Sequence, residues 1–177
     1  MAGVINITLI PLAELASGEA ANIRQAATNA VVAMASKTLG LPPEGLIARD
    51  ALPDEDFDHR SHSWHEVTGA TADVYETMMD GTLADNRFVA IYGAVDWTDY
   101  PSVSALRFTI GGSQRVVWNL ENLYSNGGPR VGLTAGPILI PQNTPYTVAR
   151  YVEHETVTAF IVLKCVVVEP VGKLVSP

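Results

Sequence analysis

Cysteine is almost missing from this chain of 177 residues, where Cys165 stands alone. One cysteine excludes an internal disulfide framework and a cysteine-rich metal cluster. It falls in the apolar run 160–168, which predicts a buried, inert thiol rather than a nucleophile. Basic residues are also scarce, 11 against 19 acids, for a net charge of −8. With no Lys/Arg cluster to replace phosphate counterions, direct nucleic-acid binding is not expected. No uncharged apolar run reaches about 18 residues, so no transmembrane segment is predicted. The start, MAGVINITLIPLAEL, lacks the basic opening and long apolar core of a signal peptide, and a soluble chain made in the cytoplasm is expected. Motifs for nucleophiles and nucleotides are missing too: there is no Gly-x-Ser-x-Gly, P-loop, Gly-x-Gly-x-x-Gly or His-Glu-x-x-His. Ser125-Asn126-Gly127-Gly128-Pro129 reads as a turn, since no Lys-Ser/Thr follows it and no helix begins there. Nothing singles out one catalytic pair among the acids.

What is present describes a packed globular chain, 47% apolar and 17% charged. No internal repeat or linker divides it, and its length suits one well-filled core, so residues 1–177 are read as one domain. Residues 103–170 set its character. Short β-branched and aromatic runs are punctuated there by Gly-Gly, Asn-Gly-Gly-Pro, Ala-Gly-Pro and Pro-Gln-Asn-Thr-Pro, the pattern of antiparallel strands. The runs 103–110, 115–120, 137–140, 146–151 and 156–168 are predicted strands. Upstream, FVAIYGAV within 87–95 is apolar on both faces, as in a strand inside a sandwich or barrel. Residues 46–52, 64–68 and 71–78 are weaker strand candidates, with a turn at Gly69. Residues 4–10 form a first strand or an extended arm that pairs with a neighbour, ended by Pro11. From Ser17-Gly18-Glu19 to Leu39-Gly40, apolar residues at three- and four-residue steps predict one amphipathic helix with an alanine-rich stripe. The expected fold is mainly β, a single antiparallel jelly roll or β-sandwich with one N-terminal α-helix. Residues 1–45 hold the arm and helix, 46–170 the barrel and 171–177 a tail.

Charge is unevenly placed. Between Glu44 and Asp99 lie 13 of the 19 acids but only Arg49, Arg60 and Arg87 as bases. Such asymmetry suits either self-association through complementary patches or a solvated acidic face. The sharpest cluster runs from Asp58 to Glu66, where His59, His62 and His65 recur at spacing three near Asp54, Glu55 and Asp56. Imidazoles beside carboxylates suit zinc or another transition ion, but Pro53, the serines and the acid run favour a solvated polar loop. His154 lies far along the chain in a predicted turn. The acid run also has the oxygens of a calcium site, without the alternation, central glycine or terminal glutamate of an EF-hand. Trp97, with Tyr100, is the best candidate for a sugar-stacking platform. Trp118 reads as core, and Trp64 lies beside the histidines.

At GPILIPQNTPYTVARY and TVTAFIVLKCVVVEP the sequence resembles jelly-roll virion structural proteins of bacterial and archaeal double-stranded DNA viruses. A strand ending in Ile-Pro-x-Asn-Thr-Pro, and a long last strand before a proline-containing tail, carry the resemblance over residues 82–170. The helix at 17–39 lies outside this pattern. The resemblance implies a capsid or capsid-decoration subunit, assembled in the host cytoplasm into a virion, with no cofactor and no catalytic residue. Its partners would be copies of itself and other capsid proteins. Expected contact residues are Val4, Ile5, Ile7 and Ile10 on the arm, Ile23, Val31 and Met34 on the helix, and the loop 54–65. Two other readings stand beside it: a metal-dependent, cupin-like enzyme using His59, His62 or His65, and a carbohydrate-binding sandwich using Trp97 and Tyr100.

Overall fold

The computed structural model describes residues 4–57, 64–67, 71–97, 102–123, 130–154 and 158–172. Among the described residues the β-rich runs form eleven strands and the alanine stripe forms a single long helix. In chain order they are β1 (Val4–Thr8), β2 (Ile10–Pro11), α1 (Glu19–Leu39), β3 (Leu46–Asp50), a one-turn helix α2 (Pro53–Asp56), β4 (His65–Val67), β5 (Val74–Thr82), β6 (Phe88–Asp96), β7 (Val103–Ile110), β8 (Gln114–Asn119), β9 (Arg130–Ile140), β10 (Pro145–Val152) and β11 (Thr158–Pro170). One sheet has the order β1-β8-β7-β10-β5. The other has the order β2-β9-β6-β11-β3, with β4 also pairing β11. Without the N-terminal additions and β4, these are the layers β8-β7-β10-β5 and β9-β6-β11-β3, the order of an eight-stranded jelly roll built from two Greek keys. The expected mainly-β jelly-roll sandwich with one N-terminal helix is therefore the fold.

The core lies between the sheets. Phe108 and Trp118 meet there with ring centroids 4.6 Å apart, and Tyr146 approaches Phe57 edge-on at 5.6 Å. A second apolar layer lies outside the β9-β6-β11 face, where α1 packs. Ile23, Ala27, Val31 and Ala35, four residues apart, are buried against Phe88, Ala90, Tyr92, Leu133, Val166 and Val168. The small alanines let helix and sheet approach closely. Strand β6, covered on one side by the core and on the other by the helix, is buried along its whole length. That is why FVAIYGAV lacks alternation. The helix begins without a side-chain cap at Gly18 (φ 86°), while the Glu19 carboxylate accepts the Ala16 N–H at 2.9 Å. It ends at Gly40, whose φ of 67° lets its N–H reach the Ser36 carbonyl at 2.9 Å.

The N-terminal run differs from the single strand expected over 4–10. The chain passes from one sheet to the other at Leu9, whose side chain is fully buried in the core. Before it, β1 adds to β8 in parallel, from Val4 opposite Arg115 to Thr8 opposite Asn119. After it, β2 adds to β9 of the other sheet, Ile10 opposite Leu133. One short segment thus bridges both layers of the sandwich along the same side.

Candidate functional site

Three places on this frame have the makings of a site: the N-terminal edge, a buried charge cluster, and a groove outside the six-stranded sheet. The edge follows from composition. Strand β1 ends its sheet, and Val-Ile-Asn-Ile-Thr carries neither charge nor proline. Val4 is 53% exposed and Ile5 51%. The other sheet margins are guarded as edges usually are. On β3 stand Arg49 and Asp50, on β5 Glu76, Asp80 and a bulge opposite Val148–Ala149, and β2 ends in Pro11. Ile10 and Leu12 continue the exposed apolar line. Of the other arm residues named above, Ile7 is half-buried against the core. The helix residues lie elsewhere: Ile23 and Val31 are buried against this chain's own sheet, and Met34 is half-buried on the same layer.

The charge cluster overturns the expectation of a solvated loop at its first turn. Pro53 starts α2, which folds Asp56 and Phe57 inward to 4% and 0% exposure. The Asp56 carboxylate accepts two hydrogen bonds from Arg49, both 2.7 Å, and the Leu52 N–H at 2.6 Å. Arg87 lies 3.2 Å from Asp56 and donates to Glu169 at 2.7 Å, and Arg49 reaches Glu169 at 3.2 Å. Two cations and two anions therefore lock β3, α2, the start of β6 and the end of β11 into one corner. Hydrogen bonding to Asp56 raises the Arg49 guanidinium further above its ordinary range. The Asp56 oxygens are thereby engaged, so this part of the acid run holds guanidinium rather than calcium. Asp58, His59 and His62 lie outside the described residues. His65 is in β4, its backbone opposite Phe160, and His154 is exposed in the bend after β10. Among the described residues no three histidine, cysteine, aspartate or glutamate side chains are grouped to hold a metal ion.

The groove, of about 740 Å³, lies on the outer β9-β6-β11 face where the first turns of α1 leave it uncovered. A bulge between Ile91 and Gly93 shifts the alternation of β6. Ala94 consequently joins the inter-sheet core, while Val95 and Trp97 line the groove. Val131 of β9 and Phe160 and Val162 of β11 extend the apolar floor. Ala20, Ala21 and Arg24 form the helix wall, and Lys164 stands opposite. Trp97 is 66% exposed, whereas Tyr92 beneath is buried, which raises its phenol above the ordinary value. Tyr100, its expected companion for sugar stacking, lies outside the described residues, as does the turn 125–129. Trp118 is core and Trp64 packs on Phe57 at 6.0 Å. Cys165 is buried, and desolvation pushes its thiol well above the usual range. In sequence, Val95, Val131 and Val162 are ordinary strand residues, with no local pattern that marks a groove. Only the bulge and the reach of α1 place them in the lining of the groove.

No protein-family model matches the sequence, and no curated protein is similar to it. The topology makes the chain a jelly-roll protein, and its surface must supply the rest.

Proposed function

We propose that this chain is a structural subunit that works by self-assembly: a capsid or capsid-decoration protein of a virion, made in the host cytoplasm. The observation that carries the reading is β1, an uncharged strand on an open sheet edge, with Val4 and Ile5 both more than half exposed. A free row of N–H and C=O groups beside apolar side chains is a template for another strand. A jelly-roll frame with rigid paired sheets supports such an edge, and the resemblance of residues 82–170 to virion proteins points the same way.

Removing residues 1–10 would be a poor test, because it also takes Leu9 out of the core. Substituting Val4 and Ile5 together by Lys leaves the core intact and charges the edge. Light scattering and negative-stain imaging of the wild-type chain, alone or mixed with the other shell components, should show large closed assemblies or recruitment to a shell. The double lysine variant should remain a folded monomer under the same conditions. Normal assembly by that variant sinks the edge reading. Stoichiometric metal in the purified protein, lost on substituting His59, His62 and His65, would move the assignment to a metal-dependent enzyme.

A further inference from the structure

The outward residues of a sandwich strand are usually polar where they meet water. Beyond the first turns of α1 this sheet departs from that rule, with Val95, Val131, Phe160 and Val162 forming an apolar floor and Trp97 rising beside it. The hollow has the volume and the lining of a small-ligand site, mostly apolar with a few polar groups. Its charged lining residues are Arg24 and Lys164, both cations, in a chain of net charge −8. Arg24 already meets Asp50 at 2.8 Å, across a pair in which both side chains are more than half exposed. No carboxylate pairs with Lys164 among the described residues.

We propose that this groove binds an anionic amphiphile as a free molecule, its acidic headgroup at Lys164 and Arg24 and its alkyl chain along the valine and phenylalanine floor under Trp97. The charge selects the headgroup, and the apolar lining selects the tail. A concave site takes a single molecule better than it takes a bilayer surface, and the chain's overall negative charge repels an anionic membrane. The proposal does not depend on the assembly reading, since β1 does not line the groove.

Dodecanoate, held below its micellar concentration, is the probe, and calorimetric titration of the full chain is the measurement. One molecule should bind per chain. Affinity should fall about fourfold for each methylene removed toward octanoate, because each buried CH₂ favours binding by that factor. Lys164→Glu should weaken binding about tenfold by exchanging attraction for repulsion in a partly dry site, and Trp97→Ala should weaken it too. Trp97 is exposed and Lys164 half-buried, and unchanged thermal melting of the two variants, with Lys164→Gln as a neutral companion, establishes that they fold. The Val4/Ile5 double lysine variant should bind as wild type does. Four results would overturn the proposal: no saturable binding, equal affinity in Lys164→Glu, affinity independent of chain length, or binding to phosphatidylglycerol vesicles in preference to the monomer.

Discussion

The carboxylate of Asp56 receives Arg49, Arg87 and a backbone N–H in a place with no exposure of its own. Its removal strands guanidinium charge in a half-dry corner. Asp56→Ala is expected to cost about 3–5 kcal/mol in denaturant unfolding. Glu55→Ala, next door with an exposed side chain, should change stability by no more than about 0.5 kcal/mol. Cys165 permits a pH test. Its thiol is raised well above the ordinary range by burial, so the folded chain keeps the proton while the unfolded chain loses it near pH 8.5. The associated stability is complete below that pH and declines as pH rises beyond it. Unfolding free energy measured under reducing conditions from pH 7 to 10 should therefore fall more steeply for wild type than for Cys165→Val. Equal slopes would contradict the burial argument.

Among the elements, β6 carries the most. A Cβ at Gly93 would sit 2.5 Å from the Gly132 carbonyl oxygen, so backbone must yield, not merely a side chain. Gly93→Ala should destabilise by about 1–3 kcal/mol in thermal or denaturant melts. Gly136→Ala, in open surroundings on β9, is the control and should stay near wild type. Legibility at this scale followed the physics of each segment. The helix at 19–39 and the long last strand were visible because sustained periodicity fixes element type. FVAIYGAV was recognisable as buried on both sides, but not that the second cover is α1. The loop after Leu52 misled, because a proline, four acids and serines look solvated, yet Phe57 and the facing arginines draw Asp56 inward. The helix stripe was legible as apolar, and its counterpart was not, because contacts across the chain leave no local pattern. Likewise the bulge beside Gly93 that opens the groove depends on pairing with β9.

For the whole molecule, the jelly-roll class was readable from the number and spacing of strands, while the order of strands in the sheets was not. That order has a temporal consequence, most pronounced for the N-terminal segment. Residues 4–11 are made well before their hydrogen-bonding partners, 115–119 and 132–133. Strand β3 waits still longer, for β11. A fold with so many pairings between distant stretches closes slowly, because loop entropy is lost before the contacts that compensate for it form. The clasp made by β1, Leu9 and β2 cannot close before β8 and β9 have been made. Until then its apolar residues are available to any neighbouring chain. In a crowded site of synthesis, residues 4–11 stay open to chance contacts until their partners at 115–119 and 132–133 have been made.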